Sequence, residues 1–354
     1  MFLIGMPESF LKKALRGYRP YVPGEQPPDG EDWVKLNTNE SPLPPSPAVI
    51  EAIKAAANDS LRLYPSTNAA PARAAIAAHL GLDADQVAMG NGGDDLIEIC
   101  FRAFAGAGDR VAYPTPTYPL FEPLARLHEA ATVEYPMGED WAWSDTFASD
   151  PAPLKFVVNP NSPTGSWAEA RAVERVVSRS RGVVVLDEAY VDFAPASCIH
   201  LLPKYRNLLI LRTLSKSYAL AGMRVGFALG HPELIADLLA VKDSYNLDRL
   251  AIVAATAAIQ DDEHHMRIVD YVVAERAWLA ERLRAAHFEV SPSAANFVFA
   301  KPPGKDAGAV ASALRERGIL VRHYDREPIA GWFRITIGTR KQHERVLAAL
   351  EEIL

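Results

Sequence analysis

Between Leu208 and Leu229 the sequence reads LLILRTLSKSYALAGMRVGFAL, and it gathers residues able to do covalent chemistry. Two apolar runs, 208–211 and 225–229, bracket Thr213, Ser215, Lys216 and Arg224. A lysine held between two buried strands is costly to keep charged, because desolvation favours the neutral amine. The neutral amine is a nucleophile that forms Schiff bases with carbonyl groups. The hydroxyls of Thr213 and Ser215, with the Arg224 guanidinium eight residues past the lysine, suit one phosphate dianion. A lone Ser-Lys pair in a strand-connecting loop is more commonly a surface feature, so the rest of the chain decides.

An aldehyde and a phosphate on one small molecule describe pyridoxal 5′-phosphate, and other stretches supply what its ring needs. Asp187 ends the apolar run GVVVL, where a bare carboxylate needs a cation or several hydrogen bonds. A protonated pyridine nitrogen is such a cation, and the pairing keeps the ring an electron sink. The plainer reading is a strand-end aspartate capping the next helix. Tyr190, three residues on, can reach the same ring's oxygen. Gly90-Asn91-Gly92-Gly93-Asp94-Asp95 joins a strand to a helix, so its N–H groups suit an anion, or simply cap that helix. Tyr118 in PTPTYPLF suits a face-on contact with a planar ring and equally a place in the core. Asn161 in NPNSPTG sits where an amide can donate to a phenolate oxygen, or where a proline-rich turn needs asparagine. Arg334 in FRITIG lies between apolar neighbours, and its planar guanidinium suits a carboxylate held by two bonds.

Most of these residues close apolar runs, and the runs set their positions. VAMG, RVAYP, ATVEYP, LKFVVNP, GVVVLDEAYVDF, NLLILRT and RVGFALG alternate with segments of helical spacing such as DDLIEICFRAFAG and AEARAVERVVSR. The alternation predicts an α/β fold with a mostly parallel seven-stranded sheet between helices, and ligands beyond the carboxyl ends of its strands. Helices are expected over 47–57 and from near Pro71. After about Ala251 come a long helix, the strands NFVFA, GILVRHY and FRITIG, and a closing helix, a smaller α+β unit. The division expected is an N-terminal arm with part of the small domain (1–40), a large cofactor-binding domain (41–250) and a small C-terminal domain (251–354). The boundary near 245–260 falls inside what reads as one continuous helix.

The 354 residues suit two domains, and 49% hydrophobic with 23% charged residues is ordinary for a globular enzyme. A net charge of −7 argues against nucleic acid or an anionic membrane as partner. Cys100 and Cys198 lack metal-ligand spacing and read as buried free thiols in a reducing cytoplasm. The start, MFLIGMPESFLKKALRGY, reads as an amphipathic arm rather than a signal peptide, and no apolar run is long enough to span a bilayer. His264-His265 reads as part of a solvated helix face, and no metal is expected.

With LNTNESP, LYP, GNGGDD, NPNSPTG, VLDEAYVDF, RTLSKSYALAGMRVG, SYNLDRLA and FRITIG in this order, nearly the whole chain resembles the fold-type I, class I/II aminotransferases that use pyridoxal phosphate. Within them it is most similar to the histidinol-phosphate aminotransferase branch. The resemblance implies that Lys216 holds the cofactor's aldehyde and carries the proton, while Asp187 pairs with the pyridine nitrogen. It implies that Tyr190 and Asn161 meet the ring hydroxyl and that Tyr118 stacks on the ring. The phosphate falls to Gly92, Gly93, Asp94, Thr213, Ser215, Arg224 and, from the partner of a homodimer, Tyr64. Tyr21, Asn39, Arg322 and Arg334 are the implied substrate contacts, serving an amino donor and a phosphorylated keto acceptor in turn. One departure stands out: the family's turn reads Asn-Pro-Thr-Gly, and here Ser162 precedes Pro163. Either Asn161 supplies the amide from one position earlier, or Ser162 replaces it as a weaker donor.

The rival reactions are transamination of aromatic amino acids and decarboxylation of a phosphorylated amino acid. A rival of another class is a ligand-sensing module, which would bind cofactor without turning over any amino donor.

Overall fold

The computed structural model describes residues 10–28 and 32–354. Most of the arm expected at the start, residues 1–9, lies outside them, and 10–28 is irregular apart from a short turn at Lys13–Leu15. The first regular pieces are strand β1 (Val34–Lys35) and helices α1 (Pro47–Ala56) and α2 (Ala70–Leu80). Both helices carry proline in the first turn, where its missing N–H costs nothing.

Next come β2 (Val87–Gly90), α3 (Gly93–Phe104), β3 (Arg110–Thr115), α4 (Phe121–Leu127), β4 (Ala131–Pro136), α5 (Asp145–Ala148), β5 (Leu154–Val158), α6 (Ala170–Arg179), β6 (Val183–Asp187), β7 (Leu208–Thr213) and β8 (Gly226–Gly230). The seven strands form one sheet in the order β2-β8-β7-β6-β5-β3-β4. All seven apolar runs picked out in the sequence are strands of it. Alternate residues feed different cores: Val184 and Leu186 face one apolar cluster and Val185 the other, the pattern of a sheet covered on both faces. β8 alone is reversed, antiparallel to β2 and β7. An antiparallel neighbour needs no crossover helix, so the 214–225 connection can stay a loop. It leaves from the carboxyl end of β7, beside those of β6 and β5, and carries Lys216.

The second core is built on α9 (Asp262–Ala285), which follows α7 (Pro232–Val241) and α8 (Arg249–Gln260). It also takes in β9 (Glu289–Ser291), β10 (Phe297–Lys301), α10 (Ala307–Glu316), β11 (Ile319–Leu320), β12 (Arg322–His323), β13 (Phe333–Thr336) and α11 (Arg340–Ile353). Four of these strands make an antiparallel sheet, β12-β13-β10-β9, and β1 pairs in parallel with β11.

Two sequence expectations are corrected. The apparently continuous helix around 245–260 is two helices broken at Asp261. Its carboxylate accepts from the His264 N–H and the Ser46 hydroxyl, a local cap that competes with helical continuation. His265 is not on a solvated face. It lies on the inward stripe of α9 with Ile268 and Val272, 7% exposed, stacked on Tyr218 with ring centroids 4.0 Å apart. His264 does point outward, against Pro44 O at 3.0 Å. Both cysteines are buried and free. Among the described residues there is no cluster of potential metal ligands and no helix long and apolar enough to cross a membrane.

Candidate active site

A cavity of about 430 Å³ opens at the carboxyl ends of the large sheet, walled on the far side by β12, β13 and the 37–40 segment. Lys216 lines it, and its Nζ donates to Thr38 O at 3.3 Å and stands 5.9 Å from the Tyr190 ring centre. Desolvation, reinforced by the like charge of Arg334, lowers its pKa to about 8. The neutral amine is therefore far more populated near physiological pH than that of an ordinary lysine, although the protonated form still predominates.

Asp187, the last residue of β6, lines the same cavity. Its carboxylate accepts the Ala189 N–H at 2.9 Å, too little to offset the desolvation that raises its pKa to about 6. A carboxylate so placed gains from a cationic N–H partner. Tyr190 completes this side, its hydroxyl accepting from Asn39 Nδ2 at 2.8 Å. Asn39 is pinned in turn by Thr336, which accepts from its N–H at 3.0 Å and donates to its Oδ1 at 3.1 Å.

The opposite end suits an anion. Gly93 and Asp94 begin α3 and line the cavity, so the unpaired N–H groups of that first turn face it. Gly92 stands behind them with φ of +87°, and a Cβ there would lie 2.8 Å from the Arg224 guanidinium. Only glycine meets both demands. Arg224, itself left-handed at φ +51°, stands 3.7 Å from Asp94 Oδ2. The Thr213 hydroxyl lies 2.9 Å from Ser215 Oγ and 3.1 Å from Val225 O and accepts the Ser215 N–H at 3.1 Å, which fixes Ser215 at the cavity wall. An amine, a buried carboxylate and this anion cradle are together the donor set that pyridoxal phosphate requires.

Tyr118 is at the cavity, donating to Asp94 Oδ1 at 2.9 Å, with Tyr21 edge-on at 5.7 Å. Arg322 and Arg334 occupy directly opposed positions on β12 and β13. Arg322 donates to Val22 O and Pro23 O; Arg334 donates to Ser162 Oγ at 3.1 Å and Asn37 O at 2.9 Å. The Arg334 Nε is buried without a partner.

One expected residue is elsewhere. Asn161 is turned away from the cavity: its amide protons go to Pro116 O and Thr164 Oγ1, holding the turn together. Ser162 lines the wall instead, its Oγ accepting from Arg334. Tyr64 is 78% exposed and stacked on Tyr245, away from this cavity. Three further residues at the wall escaped the sequence reading: Thr38, Glu40 and Tyr324. Tyr324 had a signal, since a residue two past Arg322 on an extended segment shares its face. Thr38 had none, because it acts through its carbonyl.

Residues 31–350 match the family model described as aminotransferase class I and II. The histidinol-phosphate aminotransferase of Acetobacter pasteurianus is 45% identical over 98% of both chains. That of Syntrophotalea carbinolica is 41% identical over 97% of this chain and 99% of its own. The crystal structure of histidinol-phosphate aminotransferase from Sinorhizobium meliloti, in complex with pyridoxal-5′-phosphate, superposes with a TM-score of 0.86 at 27% identity, covering 100% of this chain and 98% of that one. The chain belongs to the class I and II aminotransferases and is a pyridoxal-phosphate-dependent enzyme that moves an amino group between an amino donor and a keto acid.

Proposed function

We propose that the enzyme acts in histidine biosynthesis, catalysing the reversible reaction L-histidinol phosphate + 2-oxoglutarate = imidazole-acetol phosphate + L-glutamate, with glutamate the donor and imidazole-acetol phosphate the acceptor in the biosynthetic direction. The observation that carries this reading is the pair of opposed arginines, Arg322 and Arg334, across the cavity from Lys216. One site must take a phosphate-bearing substrate and a dicarboxylate in turn, and two guanidiniums serve either anion. The names of the relatives support the same choice.

Bound pyridoxal phosphate supplies an aldehyde for the amino group and a ring that accepts the electron pair left when the donor's Cα–H bond breaks. In this reading Lys216 would hold the aldehyde, and its amine would serve as the base for the donor's Cα proton. A pKa of about 8 suits that task, since a base works best with a pKa near the working pH. Asp187 holds the ring through its nitrogen, Tyr190 and Ser162 face its hydroxyl, and Tyr118 covers it. Gly93, Asp94, Ser215 and Arg224 hold the phosphate, with Thr213 orienting Ser215. Asn39 fixes the Tyr190 hydroxyl and Tyr21 closes the substrate side.

The reading also includes a cytoplasmic homodimer of subunits divided at about residues 40 and 250, with Tyr64 reaching the partner's phosphate site. Exposure of Tyr64, Leu61 and Leu63 supports the dimer, since together they leave an apolar surface in need of cover. A solution mass near 38.7 kDa would argue against it.

The test is the absorption of the purified enzyme. Its cofactor band should bleach when L-histidinol phosphate is added and return with 2-oxoglutarate. A band bleached by phenylalanine but unmoved by histidinol phosphate would replace this substrate with an aromatic one.

A further inference from the structure

Arg322 and Arg334 face each other across two hydrogen-bonded strands, and like charges so placed are destabilising without a counterion or a shield. The shield is Tyr324. Its ring centre lies 5.6 Å from the Arg322 guanidinium and 5.9 Å from that of Arg334, within cation–π range of both. Phe297 flanks Arg334 from another side at 5.1 Å. Tyr324 is half-buried at the cavity wall, where desolvation raises the pKa of its phenol and keeps it a hydrogen-bond donor. No hydrogen bond donated by this hydroxyl occurs among the described residues. Tyr21 comes close enough from the arm to feel the charge of Arg322.

We propose that Tyr324 is a specificity-determining residue, whose hydroxyl donates to a phosphate-bearing substrate and separates it from the dicarboxylate. The inference rests on the reading above for the identity of the two substrates. The chemistry behind it is a count of oxygens. A carboxylate has two, and one guanidinium satisfies both with two parallel hydrogen bonds. A phosphate monoester has three terminal oxygens, so a guanidinium leaves at least one for another donor. Tyr324 stands beside Arg322 with a proton to give, and the third oxygen is its natural acceptor. Its ring serves both substrates equally by keeping the arginines apart; its hydroxyl serves only the phosphate.

The experiment compares the holoenzyme with its Tyr324→Phe variant, which keeps the ring and removes the hydroxyl. Loss of one hydrogen bond to a charged group should raise KM for L-histidinol phosphate about tenfold. KM for glutamate and kcat with either donor should stay within about twofold, and the cofactor spectrum should not move. Inhibition by inorganic phosphate, competitive with glutamate, should weaken by a similar factor. Equal KM changes for the two donors, or no change and unaltered phosphate inhibition, overturn the inference. If the unmodified enzyme leaves histidinol phosphate untouched, the substrate reading fails on its own. Phosphate inhibition that still depends on the Tyr324 hydroxyl would then support the subsite alone.

Discussion

Two lysines in this molecule have been pushed to the same pKa, about 8, by the same cause, desolvation. Lys155 lies in the middle of β5, wholly buried, with Nζ donating to Phe147 O at 3.2 Å and Ala148 O at 3.0 Å. These carbonyls belong to the last turn of α5, where acceptors lack helical partners and attract a cation. The Phe147 ring stands beside the amine at 5.6 Å. Lys216 is half-buried, touches one carbonyl at 3.3 Å, and opens onto a 430 Å³ cavity. A depressed lysine pKa therefore measures loss of water, and says nothing of chemistry until access and uncommitted lone pairs are added. Lys155 is a structural tie; Lys216 is a base with room in front of it.

The widest gap between them should appear in catalysis. Lys216→Ala should lower kcat for amino transfer by roughly 10³-fold or more, since it removes both the group that holds the aldehyde and the proton carrier. Lys155→Met should leave kcat and both KM values within about twofold. Steady-state assays with histidinol phosphate and glutamate read both variants. Comparable losses would mean that the α5–β5 contact shapes the cavity and that the two lysines are not separable.

Stability should invert the order. In Lys155→Met, Phe147 O keeps the Asp150 N–H, but Ala148 O loses its Lys155 donor inside the core. An acceptor stranded this way costs about 1–3 kcal/mol, visible as a lower unfolding midpoint in denaturant. Lys216→Met in the cofactor-free protein strands little, because Thr38 O lies at the cavity wall. It also removes an amine held in an unfavourable setting, so its midpoint should equal or exceed that of the parent. A reactive group retained at some cost to stability is the usual trade at an active site.

The contrast also marks where the sequence is legible. All seven large-sheet strands could be read from apolar runs: six are buried on both faces, and the edge strand β4 turns only Val133 and Tyr135 to the core. Asp187 and Lys216 could be placed at one edge because they end or follow their runs, whereas Arg224 precedes its run and reaches that edge only because β8 is reversed. The reversal of β8 was not legible, since a strand's composition does not record its direction. Nor was the break at Asp261, where one capping carboxylate outweighs a helical pattern on either side. At the site, side-chain chemistry misled once. Asn161 is the better donor on paper, but its amide is consumed by Pro116 O and Thr164, and the adjacent Ser162 reaches the cavity. Backbone contacts such as Thr38 O leave no trace in residue type.

The smallest effect is in pH dependence, and it tests whether the two lysines share a cause. Each has a folded pKa of about 8 against an ordinary value of 10.5. Between these values each lysine binds more protons in the unfolded chain than in the folded one, so its contribution to stability rises with pH across that window. Below about pH 8 both states hold the proton, and the full cost of the buried charge is felt. Asp187 acts elsewhere. Its pKa is raised from 3.8 to about 6, so its contribution is full below 3.8 and lost as pH rises through 6, below the lysines' window. The buried thiols of Cys100 and Cys198, pushed up from 9.0 by desolvation, oppose the lysines above about pH 9. Denaturant midpoints of the cofactor-free protein should climb between pH 8 and about 9, before the buried thiols oppose the trend, and Lys155→Met and Lys216→Met should each climb less steeply than the parent. If one variant keeps the full slope, the lysine it lacks is not desolvated in solution. If that lysine is Lys216, water reaches the cavity floor, and the base must acquire its lowered pKa only when cofactor and substrate close over it.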